Sequence, residues 1–179
     1  GSGAVATTIK AECPDAEVIA SDKHRAALSL ARANAKRLRV KGIRFYQADL
    51  LDQRIRSSLS RSRAIKIVVA ANLPYLPRAD KKSLPPEVVR HEPSSALFGG
   101  RSGMELIKKL LVQLAAFQKT DLRPLTLFLE FDSPQATTLK REASCLFPLA
   151  RVHVLQDTCG RDRLLRIIAP IPRTSDRPS

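Results

Sequence analysis

Tryptophan is absent from this chain, and aromatic residues make up only 4% of it. A surface that grips single strands mainly by stacking needs aromatics along a groove, so the composition argues against that class of binder. Cysteine is scarce as well. Cys13, Cys145 and Cys159 are odd in number, widely spaced, and show neither Cys-x-x-Cys nor His/Cys ligand spacing. A disulfide framework and a zinc site are both excluded on that count, and no metal is expected. No apolar run approaches the length of a membrane span, and no signal-peptide pattern opens the chain. The expectation is a monomer of the reducing cytoplasm with no membrane partner.

Acidic residues are the remaining shortage. Seventeen Asp and Glu face 31 Lys and Arg, leaving a net charge of +14. Such an excess favours polyanions, so nucleic acid or a ribosome-associated partner enters the reading. The cations fall in several places: Lys36, Arg37, Arg39 and Lys41, then Arg54 to Arg63, Lys81 with Lys82, and Lys108 with Lys109. That scatter reads as general surface character rather than one binding stripe. What is present in quantity is core-forming material, 44% hydrophobic residues in 179, enough for one domain.

The order of elements indicates an α/β protein. A helix over Ala4 to Cys13 is stopped by Pro14, and a short strand, Glu17 to Ala20, ends on Ser21 and Asp22. A long helix covers Lys23 to Leu38 with Gly42 in the turn after it, then Ile43 to Gln47 forms a strand ending at Ala48 and Asp49. Gln53 to Arg63 reads as an Arg/Ser-rich connection. The β-branched run from Ile65 to Ala71 reads as a fully buried parallel strand. After Tyr75 a long loop runs to Gly99 and Gly100, and loops of that length are functional or disordered. Helices are expected over Gly103 to Gln118 and Pro134 to Cys145, strands over Leu125 to Phe131, Arg151 to Leu155 and Leu164 to Ile168, and a disordered tail from Pro170 to Ser179. The sum is a mostly parallel sheet with an antiparallel strand at its C-terminal edge.

Chemistry gathers at the carboxyl ends of the strands, where open α/β sheets bind ligands. Asn72-Leu73-Pro74-Tyr75 follows the run at 65–71 directly. Asn72 offers a side-chain carbonyl, the X-Pro turn aims a backbone carbonyl, and Tyr75 supplies a face for stacking. The set suits a planar NH2 group, either an amide or the exocyclic amine of a base. Gly1-Ser2-Gly3-Ala4-Val5-Ala6 fits a G-x-G-x-x-A turn at a helix start. Asp22 lies where an acidic residue accepts ribose hydroxyls, and Asp49 lies where one accepts from an adenine amino group. An adenosine-containing cofactor follows, either a dinucleotide or S-adenosyl-L-methionine. Hydride transfer has no use for an acceptor pair that holds an NH2 group, whereas methylation of a planar nitrogen does. His24, His91 and His153 are scattered and read as surface or structural.

These segments resemble class I S-adenosylmethionine-dependent methyltransferases. The stretch Glu92-Pro93-Ser94-Ser95-Ala96-Leu97-Phe98-Gly99-Gly100-Arg101-Ser102-Gly103, with Gly160-Arg161-Asp162-Arg163, is similar more narrowly to the HemK/PrmC type of protein-glutamine methyltransferase. That resemblance implies methylation of the glutamine amide in the Gly-Gly-Gln motif of peptide chain release factors. It implies that Gly1, Ser2 and Gly3 form the cofactor turn, that Asp22 holds the ribose, and that Asp49 and Leu50 flank the adenine. Asn72, Leu73, Pro74 and Tyr75 would bind the target glutamine, with Asn72 also near the cofactor's reactive end. The tetrapeptide is shared with adenine amino-group methyltransferases, which remain an alternative, as does a basic fragment that binds RNA or a translation partner without catalysis. Leu73, Ser102 and Glu130-Phe131-Asp132 depart from the family pattern, which has Pro, Asp and Glu-Ile-Gly there. The resemblance begins inside the glycine turn, so the expectation is a catalytic domain, residues 1–169, lacking its first strand and an N-terminal helical domain.

Overall fold

The structure is a computed structural model and describes residues 1–82, 84, 85, 87, 90 and 93–171. Two compact units divide the chain, Gly1–Ala64 and the portion from Ile65 onward. Among the described residues no helix is long and apolar enough to cross a membrane.

In the first unit, strands β1 (Val18–Asp22) and β2 (Ile43–Gln47) pair in parallel, with Val18 opposite Ile43 and Asp22 opposite Gln47. Parallel neighbours need a crossover between them, and helix α2 (Arg25–Arg37) provides it. Leu28, Ala31 and Ala35 recur at helical spacing and are buried, while the other face carries charge. Helix α1 (Ala4–Glu12) ends at Cys13, because Pro14 cannot continue it. Gly3 stands at φ 76°, and a Cβ there would meet the Ala31 Cβ at 2.7 Å. Glycine at this position is therefore what lets the start of α1 close onto α2.

Gln53 to Ser60 is a helix, α3, and not the connection its composition implies. Asp52 caps it, accepting the Arg54 and Ile55 backbone N–H groups at 3.0 and 3.2 Å. Ile55 and Ser58 face inward, with Ser58 Oγ 3.2 Å from the Tyr46 hydroxyl. Arginine and serine dominate only its outer side.

In the second unit, β3 (Ile67–Ala71) pairs in parallel with β6 (Leu125–Glu130). Strand β8 (Asp162–Ala169) is antiparallel both to β6 and to β7 (Arg151–Gln156), giving the order β3-β6-β8-β7. The antiparallel strand expected at the edge therefore sits one place in, with β7 outside it. Helix α5 (Glu105–Gln118) buries Ile107, Leu110, Leu111, Leu114 and Phe117, one helical stripe. Helix α6 (Ala136–Leu146) buries Ala136, Leu139 and Ala143. Leu127, Leu129, Phe131, Leu165 and Ile167, all at 0% exposure, complete this core. Each such side chain contributes about 1.5–3 kcal/mol by leaving water.

Two expectations need correction here. Strand β3 is not buried throughout: Ile67 is covered, but Val68 is 55% exposed and Ala70 is exposed with it, so one face of the strand is uncovered. Nor is the stretch after Tyr75 one structureless loop. It contains β4 (Leu76–Pro77), a 3-10 turn at Arg78–Lys82, helix α4 (Ser94–Leu97) and β5 (Phe98–Gly100), with β4 and β5 paired in parallel. His91, Glu92 and the tail from Pro172 lie outside the described residues.

Candidate active site

The first unit carries the expected cofactor residues. Asp22 ends β1 and Asp49 follows β2, and the Ala48 N–H donates to the Asp22 carbonyl at 3.1 Å, so the two strand ends lie side by side. Asp22 Oδ1 accepts the His24 N–H at 2.7 Å, and Oδ2 takes the Gly1 amine. One backbone bond thus orients the carboxylate, which has about four lone-pair sites in all. The Asn34 amide holds the Ser2 carbonyl at 3.0 Å. Asp49 lines an open cleft of about 420 Å³ with Lys23, Gln47, Ala48, Asp52 and Arg54. Leu50 turns the chain at φ 57°, a conformation that costs a branched residue energy and places it just beyond Asp49. Acceptors at Asp22 and Asp49 fit the hydroxyl and amino donors of an adenosine. Gly3 is explained by its contact with Ala31, and a Cβ on Gly1 would meet nothing within 4 Å.

The second unit carries the tetrapeptide. Ala71 pairs with Leu129, so Asn72 emerges at the carboxyl end of β3 as β6 reaches Glu130. Asn72 is exposed and its side chain makes no hydrogen bond among the described residues, whereas Leu73, Pro74 and Tyr75 are half-buried. Tyr75 is tied at both ends. Its hydroxyl donates to Glu130 Oε1 at 3.1 Å, and its carbonyl accepts from Gln135 Nε2 at 2.8 Å. Burial pushes the Tyr75 phenol upward, and the Glu130 charge and hydrogen bond push it the same way, with Arg163 opposing. The ring therefore stays neutral through the physiological range.

Beneath the turn lies a floor of glycine. A Cβ on Gly99 would meet the Pro74 carbonyl at 2.2 Å, and one on Gly103 would meet the Tyr75 carbonyl at 2.1 Å. Both backbones touch the turn where any side chain would displace it. Gly100, at φ 124°, makes room for Glu105, whose Oε1 accepts the Ser102 N–H at 2.8 Å. That bond holds the Glu105 carboxyl below its ordinary range.

Sequence reasoning missed Gln135. It is 7% exposed, and its Oε1 accepts the Asp132 N–H at 3.1 Å while its Nε2 reaches Tyr75. Asp132 in turn caps the Ser133–Gln135 turn and takes Arg163 Nη1 at 2.9 Å. Asp132-Ser-Pro-Gln135 is a capping-box spacing, a signal that was available. Arg161 engages Asp157 at 3.2 Å, so both arginines of the Gly160–Arg163 segment are paired within the unit.

The architecture is one already known. The chain superposes on a ribosomal-protein methylase of Lactobacillus delbrueckii subsp. bulgaricus with a TM-score of 0.57, covering 95% of this chain and 66% of that one at 16% identity. That likeness establishes the class I methyltransferase fold and nothing finer. A family profile, Methyltransferase small domain, matches residues 1–61. Release factor glutamine methyltransferases match far more. Identity is 38% to that of Deinococcus radiodurans, over 93% of this chain and 54% of the relative. It is 32% to that of Bacillus cereus, over 92% and 55%, and 34% to the human MTRF1L release factor glutamine methyltransferase, over 93% and 49%. The likeness to release factor glutamine methyltransferases runs over almost the whole of this chain. The chain spans about half the length of the curated relatives it matches.

Two departures from the pattern of that family have visible accommodations. Ser102 Oγ accepts the Met104 N–H at 3.3 Å, the local turn bond that an aspartate also makes. Asp132, where glycine is usual, is absorbed by its cap and by Arg163.

Proposed function

We propose that this chain carries the catalytic residues of an S-adenosylmethionine-dependent methyltransferase that acts on the side-chain amide of the Gly-Gly-Gln glutamine of a peptide chain release factor. The names of the relatives support the substrate, and the turn at Asn72–Tyr75 supports the chemistry. When bound, the cofactor supplies an electrophilic methyl group. Gly1, Ser2, Gly3, Asp22, Asp49 and Leu50 are the residues of the first unit that would hold it.

What the protein must do follows from the nucleophile. An amide nitrogen delocalises its lone pair into the carbonyl and attacks poorly, so fixing its orientation is worth several kcal/mol of barrier. Both of its N–H groups need acceptors, and attack makes them more acidic, so acceptors bind the transition state more strongly than the ground state. Asn72 Oδ1 is the first acceptor. The Tyr75 carbonyl is taken by Gln135, and the Pro74 carbonyl lies against Gly99. The Leu73 carbonyl, unbonded among the described residues, is left as the second. Pro74 fixes the backbone angle that follows it, and the neutral Tyr75 ring walls the amide without competing for its protons. No general base is required of the three histidines.

The observation that carries this reading is an exposed Asn72, without a side-chain hydrogen bond among the described residues, on a turn held at Pro74 and Tyr75. The test is transfer of labelled methyl from S-adenosylmethionine, using the chain extended to the length of its relatives. Label is expected on a release factor and not on DNA, and Asn72→Ala is expected to lower turnover by about 10²–10³-fold, the range for loss of an oriented transition-state partner, with cofactor affinity little changed. Label on DNA adenines with none on a Gly-Gly-Gln protein refutes the substrate.

A further inference from the structure

Positive charge is dense in one stretch of the first unit, between two of the expected cofactor residues. Between Asp22 and Asp49 the sequence contains no carboxylate, yet it contains eight cations: Lys23, Arg25, Arg32, Lys36, Arg37, Arg39, Lys41 and Arg44. Helix α2 carries four of them on an otherwise small and apolar frame. Arg32 and Lys36 stand at i and i+4 on α2, about one turn of 5.4 Å apart on one face, and Arg39 follows just past the helix end.

That face borders a cleft. Arg32, Lys36, Arg39 and Lys41 line it with Phe45 and Gly42 among their neighbours, and it encloses about 720 Å³ within the first unit. No acidic side chain lines it. Glu17, which reaches the same strand, is taken by Arg44 at 3.0 Å. Lys36, Arg39 and Lys41 have no ion pair among the described residues. Four cations around one concavity repel one another, and no carboxylate lines it to offset them.

Two details favour a shaped site over an undirected surface. Arg32 is positioned: its Nη2 donates to the Phe45 carbonyl at 3.2 Å, and its guanidinium lies 5.7 Å from the Phe45 ring centroid. A guanidinium held over an aromatic ring is a surface on which unstacked bases stack. Arg39 follows α2 at φ 56°, a left-handed position that glycine or asparagine occupies at least cost. The Arg39 N–H donates to the Lys36 carbonyl at 3.0 Å and the Val40 N–H to the Ala35 carbonyl at 2.9 Å, so the strained turn is fixed with a cation at its tip.

We propose that this cleft, between the C-terminal part of α2 and the start of β2, binds the phosphodiester backbone of single-stranded nucleic acid. A group of single positive charges around the cleft, on α2 and the turn after it, matches a row of single negative charges along a strand. With one aromatic ring in the cleft, affinity comes from phosphates, so sequence preference is weak.

The test is fluorescence anisotropy of labelled single-stranded RNA and DNA of mixed sequence, titrated with the 179-residue chain across a salt series. Three to four neutralised phosphates predict a log–log salt slope of about −2 to −3. Lys36→Gln, Arg39→Gln and Lys41→Gln together should reduce that slope by about two and lower affinity at least about tenfold at low salt. Lys119→Gln, Lys140→Gln and Arg141→Gln remove the same charge from exposed positions in the second unit and should change affinity less than about threefold. Lys36→Arg with Lys41→Arg should retain binding. RNA binding several-fold tighter than DNA assigns the strand as RNA, and equal binding assigns the backbone common to both. The proposal is overturned if the control triple weakens binding as much as the cleft triple. It is equally overturned if neither strand binds, or if a poly-glutamate peptide displaces the oligonucleotide at lower concentration than unlabelled RNA does.

Discussion

Replacing Gly103 by alanine should unseat the turn that carries Asn72, and the structure itself supplies a control for the effect. Gly103 and Gly160 both lie in the second unit and both have left-handed backbones, at φ 79° and 76°. An alanine at either pays the same conformational cost, roughly 1–2 kcal/mol. The difference is in what the new methyl meets. At Gly160 there is nothing within 4 Å, whereas at Gly103 the Tyr75 carbonyl oxygen would be 2.1 Å away and Gln135 Nε2 2.9 Å away. The carbonyl must retreat by about 1 Å to reach ordinary contact, which breaks the Gln135 bond, worth about 1 kcal/mol, and strains the chain around it. The expected total is about 3–4 kcal/mol for Gly103→Ala against about 1–2 for Gly160→Ala. Urea unfolding followed by circular dichroism reads the difference as a shift in midpoint at unchanged slope. Turnover adds a second readout, because a 1 Å displacement of a positioning group costs on the order of 10²-fold. Equal destabilisation by the two alanines, within about 0.5 kcal/mol, would show that Gly103 is a turn residue and that the close approach to Tyr75 has no energetic weight; 0.5 kcal/mol is near the resolution of additive comparisons.

Gln135 tests the same turn from its other side. Gln135→Glu keeps the volume and the acceptor for the Asp132 N–H but loses the donor to the Tyr75 carbonyl, and should cost about 1–3 kcal/mol; thermal unfolding reads the loss, and an unchanged midpoint for Gln135→Glu removes this residue from the account. At Asp121 the Arg123 hydrogen bonds, at 2.5 and 2.8 Å, hold the carboxyl below its ordinary range against the burial that raises it. A depressed folded value means the stability it adds is fully present above the unfolded value of about 3.9 and is lost as pH falls through the lower folded one. Arg123→Gln should therefore lower the midpoint of unfolding at neutral pH, with the two proteins converging as pH drops well below 4. A constant difference at all pH values would mean that packing, not charge, is what Arg123 supplies.

Much of this fold was legible from periodicity. The stripe of α5 and the alternation of β6 stood out because one face of each is apolar throughout. The end of α2 was legible only in part: Gly42 marks the turn before β2, but the left-handed residue that closes the helix is Arg39. Helix α3 was not, since its two inward residues, Ile55 and Ser58, include a serine whose burial depends on Tyr46 from a distant strand. The exposure of Val68 was hidden for a related reason: a β-branched run states that a strand forms, not whether both of its faces are covered. At the site, the tetrapeptide announced itself, while its supports did not. Glu130 and Gln135 lie 55 and 60 residues from Tyr75, and only the register of β3 against β6 brings them together.

The departure at Leu73 gains a meaning from those supports. A proline there would restrain the turn from within, by fixing one more backbone angle. In this chain the restraint is applied from outside: Glu130 and Gln135 hold Tyr75, and Gly99 lies against the Pro74 carbonyl. A backbone so held has already lost its freedom before any ligand arrives, which is the condition for an acceptor to favour a transition state rather than merely follow a substrate. Leucine at position 73 still carries the carbonyl proposed above as the second acceptor, and the residue is half-buried rather than free. The glycines at 99 and 103 thus do for this turn what a second proline would do, through contact instead of covalent geometry.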